Sequence, residues 1–254
     1  MDAVLLALAA AASAGGLWWF QSRPVRHELP GSAFDEDAEI ALHVAKHEAV
    51  SRGQALSSVH LLFGLIQDEA IVAVLRDAGV DVEAFESAVL DALGKPGPMS
   101  AGVTERVHYI YAYALHSASH AERKASRVDL WAYLSDSDAE SVLEAAGVSH
   151  VEILFRLCHN MAPPSLDALD GASAPVHVVL RNDDYTTRDF VCGLLTGTFG
   201  YTENDAEIRM MQTHTEGRGV VGRFRADDAK AKILKVRELA RVAGHPLWIG
   251  IEPV

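Results

Sequence analysis

A run of polar side chains stands between an apolar, strand-like segment, residues 176–180, and an amphipathic helix that begins near Thr187. The run reads Asn182-Asp183-Asp184-Tyr185-Thr186. A histidine further along the chain, His214, could fold back onto it. Oxygen acceptors gathered at such a turn suit one small cation, and the free α-amino group of a peptide, with a pKa of about 8, is such a cation at neutral pH. The residue types therefore predict a site that captures a protein N-terminus.

Two other interpretations of these residues stay open. Asn and Asp commonly cap helices, so the run could serve only to start the helix at Thr187. Asp183, Asp184 and His214 could instead form a hydrolytic constellation. No nucleophile, metal-ligand set or phosphate-binding loop accompanies them, so an enzyme is the least favoured class.

Charge is distributed unevenly along the 254-residue chain. The net charge is −13, yet residues 175–254 carry 11 Lys and Arg and 11 Asp and Glu, so the acidic excess lies entirely in residues 1–174. Nucleic acids need a basic binding face, and this balance argues against such a partner. An acidic first part can serve solubility or dock a basic partner.

Only two cysteines, Cys158 and Cys192, are present, which argues against a disulfide framework and indicates a reducing compartment.

The first 20 residues contain an uncharged run of 18 residues with aromatic side chains at its end. A membrane-spanning helix needs about 20 apolar residues, and aromatic residues favour its interfacial end. Because Arg23 and Arg26 follow, the positive-inside rule places the rest of the chain on the cytoplasmic side. A cleaved secretory signal with Ala12-Ser13-Ala14 as its cleavage site is the alternative, but the positive n-region is missing. We predict a single-pass N-terminal anchor, with a soluble cytoplasmic protein as the alternative.

The helical part of the sequence repeats itself. Residues 59–65 are echoed by 128–134, 69 positions later, and residues 74–80 are echoed by 142–148, 68 positions later. The second pair ends in Ala-Gly-Val in both copies, where glycine can take the left-handed conformation that ends a helix. Neither copy is expected to bury its apolar face alone, so the two predict one pseudo-symmetric all-α domain joined at residues 95–98.

This duplicated pattern resembles the N-terminal domain of the Clp AAA+ unfoldases. The resemblance rests on residues 58–65 and 74–80 with their second copies, and it covers about residues 36–160. The ATP-binding signature of the unfoldase motor, G-x-x-x-x-G-K-[ST], occurs nowhere in the chain. Energy-driven unfolding by this chain alone is therefore excluded.

A proline-containing polar stretch, residues 162–175, predicts a linker. After it, the pattern predicts strands over 176–181, 219–224 and 247–252 and helices over 187–199, 203–216 and 226–242. Three short strands and three helices predict an α+β sandwich with the helices on one face of the sheet.

The C-terminal motifs resemble the ClpS adaptor family over about residues 176–254. The resemblance is carried by Arg181, the run 182–186, Met210, His214, Gly217, Gly222, Phe224, His245-Pro246-Leu247 and Ile251-Glu252. Family members bind proteins that begin with Phe, Tyr, Trp or Leu and deliver them to a Clp unfoldase. The resemblance implies that Asn182, Asp183 and His214 hydrogen-bond the α-amino group and the first peptide unit. It also implies a pocket for the first side chain, formed by Asp184, Thr186, Val191, Met210 and Leu247.

Two positions in the motifs depart from the family. Arg188 stands where bacterial members commonly have a methionine, and Thr213 replaces the usual valine before the histidine. A long cation at a pocket rim can stack on an aromatic ring but narrows the room for branched aliphatic side chains. We therefore expect Phe, Tyr or Trp to be preferred over Leu as the first residue.

The resemblance also implies a docking surface. In the family, the positions of Asp227 and Lys232 lie where the unfoldase N-domain binds, although such charges ordinarily form a solvated helix face.

Two pairs of histidines have a spacing that can ligate zinc, namely His43 with His47 and His116 with His120. No third ligand accompanies either pair. We expect neither a metal nor another cofactor.

Together these observations predict a multidomain protein. Its parts are an anchor helix (1–20), a juxtamembrane linker (21–33), a Clp N-terminal-like helical domain (34–161), a linker (162–175) and a ClpS-like α+β domain (176–254). The predicted function is a non-enzymatic adaptor that binds N-degron proteins and delivers them to a Clp AAA+ unfoldase at the inner face of a bacterial membrane. The alternative is a regulator whose helical domain masks or competes for the docking surface. Since a short linker can give millimolar effective concentrations, the two domains could also associate with each other.

Overall fold

The computed structural model describes residues 33–94, 102–172 and 174–253. The chain divides into two compact units between Ile153 and Leu154. The predicted anchor, nearly all of the predicted juxtamembrane linker and the predicted joint at 95–98 lie outside the described residues.

Helices in two sets of four form the first part of the described chain. The first set is α1 (Glu36–Ser51), α2 (Ser58–Leu65), α3 (Glu69–Asp77) and α4 (Val82–Leu93). The second set is α5 (Glu105–His120), α6 (Arg127–Ala132), α7 (Asp138–Ala145) and α8 (His150–His159). Equivalent helices begin 68 or 69 residues apart, which confirms the predicted duplication.

Two parallel bridges join the two copies reciprocally. Phe34 pairs with Ala125, and Leu56 pairs with Val103. Phe34 and Val103 are 69 positions apart, as are Leu56 and Ala125. Equivalent residues of the two copies therefore occupy equivalent positions in the two bridges. Each bridge is held by two backbone hydrogen bonds of 2.8 to 3.0 Å. Each copy therefore satisfies extended backbone of the other, which is a physical reason for the copies to form one domain.

The ends of α3 and α7 show the predicted glycine conformation. Gly79 has a φ of 82° and Gly147 a φ of 70°. Glycine adopts this left-handed region without steric cost, so both helices end where the Ala-Gly-Val pattern places their ends.

Within the described ranges, no single helix is long and apolar enough to cross a membrane. The pair α2 and α3 together passes a test of length and composition, but the two helices are bent by 87°.

A three-stranded antiparallel sheet forms the base of the second unit. Strand β1 (Val176–Arg181) lies between β2 (Arg218–Phe224) and β3 (Trp248–Pro253). The helices that connect the strands are α9 (Arg188–Phe199), α10 (Glu203–Glu216) and α11 (Ala226–Val242). The three strands and three helices are confirmed, and their ends differ from the predicted ones by at most one residue. One face of the sheet shares a core with these helices, which includes Leu180, Leu195, Val221, Ile233 and Ile249.

The opposite face of the sheet is covered by the end of α8. Phe155 is buried in a second, smaller core with Val179 and Trp248, and Val220 packs at its edge. The division between the units therefore falls within α8, before the predicted domain end at residue 161. Part of the segment predicted as a linker packs against the ClpS-like unit, because Leu166 and Leu169 are buried in its main core.

Candidate functional site

The predicted acceptors lie where β1 ends. The backbone N–H of Asn182 donates to the Gly217 carbonyl at 2.9 Å. Gly217 has a φ of 75°, a left-handed conformation that ends α10 and turns the chain into β2. This turn places the last residues of α10, His214 among them, beside the start of the loop 182–187.

Arg188, His214 and Asn182 form a chain of hydrogen bonds at the surface. Arg188 Nη2 lies 3.1 Å from His214 Nε2, and His214 Nδ1 lies 3.1 Å from Asn182 Oδ1. A guanidinium group can only donate, so Nε2 is the acceptor, and the imidazole proton is on Nδ1 and points to Asn182. The guanidinium of Arg188 therefore occupies the histidine nitrogen that faces away from Asn182.

Asp183 has its carboxylate turned into its own loop. Oδ1 accepts hydrogen bonds from the backbone N–H groups of Tyr185 at 2.8 Å and Thr186 at 2.6 Å, and Oδ2 accepts one from Thr186 Oγ1 at 2.8 Å. An ionised carboxylate offers about four acceptor positions, so one remains for a ligand. Helix α9 is capped by Thr187, whose side chain accepts from the N–H of Phe190. The capping interpretation therefore applies to a turn before the helix and not to the helix itself.

Three of the residues predicted to form the first-residue pocket lie in one apolar cluster. Val191 on α9, Met210 on α10 and Leu247 just before β3 are only 9%, 7% and 5% exposed, and all belong to the main core. Thr186 is half-buried, and Asp184 is exposed. The structure thus brings the predicted apolar residues together from three elements.

Thr213, the second departure from the family pattern, faces the sheet. It is buried, and its Oγ1 donates to the Arg209 carbonyl at 2.9 Å. A Cβ at Gly219 would collide with this Oγ1, so the threonine depends on a glycine in β2.

The segment 245–247 is held from two sides. His159 Nε2 lies 2.8 Å from the Pro246 carbonyl, to which it donates. The His245 ring lies 4.5 Å from the Phe190 ring, centroid to centroid, and hydrogen-bonds to the backbone of Tyr185.

Both histidines lie within electrostatic reach of Asp183. Burial lowers the pKa of His159 and of His245, and the negative charge of Asp183 acts in the opposite direction on each. His159 has no place in the sequence motifs, because its contact with residue 246 spans 87 positions of the chain.

Two family models match the chain. The Clp repeat (R) N-terminal domain matches residues 33–145, and the ATP-dependent Clp protease adaptor protein ClpS matches residues 172–250. The ATP-dependent Clp protease adapter protein ClpS of Deinococcus radiodurans is 42% identical over 76 residues, which are 30% of this chain and 67% of that protein. The protein of the same name from Hydrogenovibrio crunogenus is 42% identical over 77 residues, which are 30% of this chain and 74% of that protein.

The chain belongs to the ClpS adaptor family. Its ClpS domain is fused to a Clp repeat N-terminal domain, as the two motif sets predicted. ClpS proteins are adaptors of the Clp protease and not catalysts, so the enzyme interpretation has no support. A solved structure of Agrobacterium tumefaciens ClpS2 bound to L-phenylalaninamide is 35% identical and covers 33% of this chain and 100% of that chain, with a TM-score of 0.32.

The two residues predicted to dock a Clp unfoldase differ in their surroundings within the ClpS domain. The Asp227 side chain is 79% exposed near the start of α11. Lys232 Nζ donates to the Thr198 carbonyl at 3.1 Å and lies 5.9 Å from the centroid of the Phe199 ring. Lys232 therefore stabilises the C-terminal end of α9, where the helix dipole is negative. The carboxylate of Asp227 instead lies 3.6 Å from the exposed Arg225 side chain, two residues earlier in the chain.

In the part of the chain that the structure describes, no group of three or more His, Cys, Asp or Glu side chains is arranged to hold a metal ion. The predicted pair His116 and His120 does meet, with the two Nε2 atoms 3.1 Å apart at the surface of the Clp repeat domain.

Proposed function

We propose that this ClpS-family chain binds the free α-amino group and the large apolar first residue of N-degron proteins and delivers them to a Clp AAA+ unfoldase. One observation carries the proposal. The acceptors of Asn182, Asp183 and His214 lie at the end of β1, in the same fold that gathers Val191 and Leu247 into one apolar cluster.

An ammonium group has three N–H donors, and the loop together with His214 of α10 offers three acceptors for them. Asn182 Oδ1 keeps a second lone pair, and the Asp183 carboxylate has one acceptor position left. His214 Nε2 becomes the third acceptor when Arg188 moves away. Because Asn182 Oδ1 faces His214, the amide N–H groups of Asn182 remain for the carbonyl of the first peptide unit.

The first side chain supplies affinity, and the amine supplies selectivity. Burying a large apolar side chain contributes roughly 1.5–3 kcal/mol. An internal peptide segment brings no ammonium group, so it would leave the negative charge of Asp183 desolvated and unpaired. The site would therefore reject internal aromatic residues even where they fit the pocket.

Arg188 refines the choice of the first residue. Its side chain is exposed and reaches His214, so it stands at the rim of the acceptor group. A guanidinium plane can stack on an aromatic ring but leaves less room for a branched aliphatic side chain. The proposed order of preference is Phe, Tyr or Trp before Leu.

A titration of the full chain with labelled peptides tests the proposal. Peptides that begin with Phe are compared in the free and the N-acetylated form, with a Leu-initiated peptide alongside. Acetylation is expected to reduce affinity by about 100-fold or more, since it removes hydrogen bonds to a charged group worth about 1.5–3 kcal/mol each. Equal affinity for the two forms would rule out amine recognition, and equal affinity for Phe and Leu would rule out the role of Arg188.

A further inference from the structure

The end of α8 precedes the ClpS match, which begins at residue 172, yet it packs on the ClpS sheet. We propose that His159 is a positioning residue for the first-residue pocket and that residues 154–161 form part of the peptide-binding apparatus. The proposal rests on the function proposed above. It adds a segment that the family motifs do not contain.

Packing fixes the position of the His159 ring. Phe155, one turn earlier on α8, is only 7% exposed and is buried against Val179 and Trp248. The Phe155 and His159 rings are 4.7 Å apart, centroid to centroid. Beyond the helix end, Met161 Sδ accepts a hydrogen bond from Trp248 Nε1 at 3.3 Å. The segment is thus attached to the sheet on both sides of His159.

His159 in turn fixes one peptide plane. Its Nε2 donates to the Pro246 carbonyl at 2.8 Å. A peptide unit is planar, so this oxygen lies in one plane with the N and Cα atoms of Leu247. Holding the oxygen therefore sets where Leu247 enters the apolar cluster with Val191 and Met210.

The same segment also contacts the acceptor loop. His245 touches the Phe190 ring and hydrogen-bonds to the backbone of Tyr185, which itself donates to Asp183 Oδ1. A shift of residues 245–247 would therefore disturb the wall of the pocket and the loop that carries Asp183 together. This coupling distinguishes a positioning role from simple core packing, which affects stability alone.

Two substitutions separate the hydrogen bond from the packing. His159→Phe keeps an aromatic ring against Phe155 but removes the donor, and His159→Gln keeps a donor near the position of Nε2. The matched control is His150→Phe on the same helix, because His150 Nε2 also lies 2.8 Å from a backbone carbonyl, that of Trp131. His150 is buried and His159 is half-buried, so the control substitution is at least as demanding on packing. His150 belongs to the Clp repeat domain.

The experiment titrates the full chain and the three variants with free Phe-, free Leu- and acetylated Phe-initiated peptides, and records thermal unfolding of each. His159→Phe is expected to weaken binding of the free Phe peptide about 3- to 10-fold, the effect of one lost hydrogen bond. The ratio of the affinities for the Phe and Leu peptides should also move toward one. A pocket in which Leu247 is less firmly positioned should discriminate less between the two side chains. His159→Gln should recover most of both properties, and His150→Phe should leave both unchanged.

Wild-type affinity and selectivity in His159→Phe would overturn the inference. A second outcome would also overturn it: an equal loss of affinity for all peptides that parallels the loss of thermal stability and that His159→Gln does not recover. Such a result would mean that His159 contributes only through packing. Failure of the proposed function is recognised separately, because in that case the wild-type chain itself would not distinguish the free from the acetylated peptide.

Discussion

At the scale of single residues, Asp183 has a structural role and a proposed binding role, and the two depend on different properties. The turn needs acceptor oxygens for the N–H groups of Tyr185 and Thr186. The amine needs the negative charge. Asparagine keeps the first property and loses the second, so one substitution can separate them.

Asp183→Asn is expected to weaken binding of a free Phe peptide about 10- to 100-fold, because a hydrogen bond to a charged group contributes about 1.5–3 kcal/mol. Thermal stability should change little. The amide oxygen can replace Oδ1 in the turn, and the Thr186 hydroxyl, which now donates to Oδ2, can instead accept from the new amide nitrogen. Peptide titration and thermal unfolding of the full chain measure the two effects.

Thr187→Ala is the control for a purely structural change. It removes the side-chain cap of α9 and should cost about 0.5–2 kcal/mol of stability while it leaves the charge in place. If Asp183→Asn keeps the wild-type affinity, the carboxylate serves only the turn before α9, and its charge has no part in peptide binding.

At the scale of secondary-structure elements, local pattern predicted the strands and helices of the ClpS domain and two helix ends of the Clp repeat domain. Strand β1 was recognised from its run of branched apolar residues, and the ends of α3 and α7 from Gly79 and Gly147, because these signals depend on the chain within a few residues. The end of α8 was not recognised. Helical periodicity identifies Ile153 and Phe155 as apolar, but it does not reveal that they belong to different units.

The same limit applies to the candidate site. The residue types of the acceptor run predicted an amine site, and the resemblance to the ClpS family implied the apolar pocket residues, of which Val191, Met210 and Leu247 lie in one core. The contact of Arg188 with His214 was not predicted, because it joins residues 26 positions apart through a side-chain conformation that only the folded chain defines. The turn formed by Asp183 was missed for a related reason, since the same residue types also cap helices and the sequence does not distinguish the two uses.

The packing of α1 on α2 gives a prediction for the Clp repeat domain. A Cβ at Gly64 would overlap the backbone carbonyl oxygen of Ala41, and backbone cannot rotate away as a side chain can. Gly64→Ala should therefore destabilise this domain by about 1–3 kcal/mol, the usual cost of overpacking. Denaturant unfolding followed by circular dichroism measures the loss, and affinity for the Phe peptide should be retained.

Gly197→Ala in α9 is the matched substitution. It also lies inside a helix, but apart from its chain neighbours and the backbone of its own helix, no atom lies within 4 Å of the added Cβ. It should stabilise the ClpS domain by about 0.5–1 kcal/mol, because glycine is unfavourable in a helix interior. Equal stability of Gly64→Ala and the wild type would mean that α1 and α2 can separate without cost.

At the scale of the whole molecule, the chain combines an adaptor with a domain of the type that adaptors are expected to bind. The ClpS domain is nearly balanced in charge, and the acidic excess lies in residues 1–174. Long-range attraction between net charges would therefore contribute little to the proposed docking, and recognition of a partner would depend on individual charges such as those predicted on α11. This directs the test of delivery to Asp227 and Lys232.

Asp227 is the cleaner probe of the two. Its side chain is exposed and lies 3.6 Å from the equally exposed Arg225, whereas Lys232 also holds the end of α9. Asp227→Arg in the full chain should weaken binding to the N-terminal domain of a Clp AAA+ unfoldase about 10-fold, or about 1.4 kcal/mol, chiefly by slower association. Unchanged affinity for the Phe peptide would show that the ClpS domain of the variant remains folded.

The same variant also tests self-association. If the chain associates with itself through this surface, sedimentation should show the association in the wild type and its loss in the variant. Unchanged binding to the unfoldase domain would place the docking surface elsewhere on the ClpS domain.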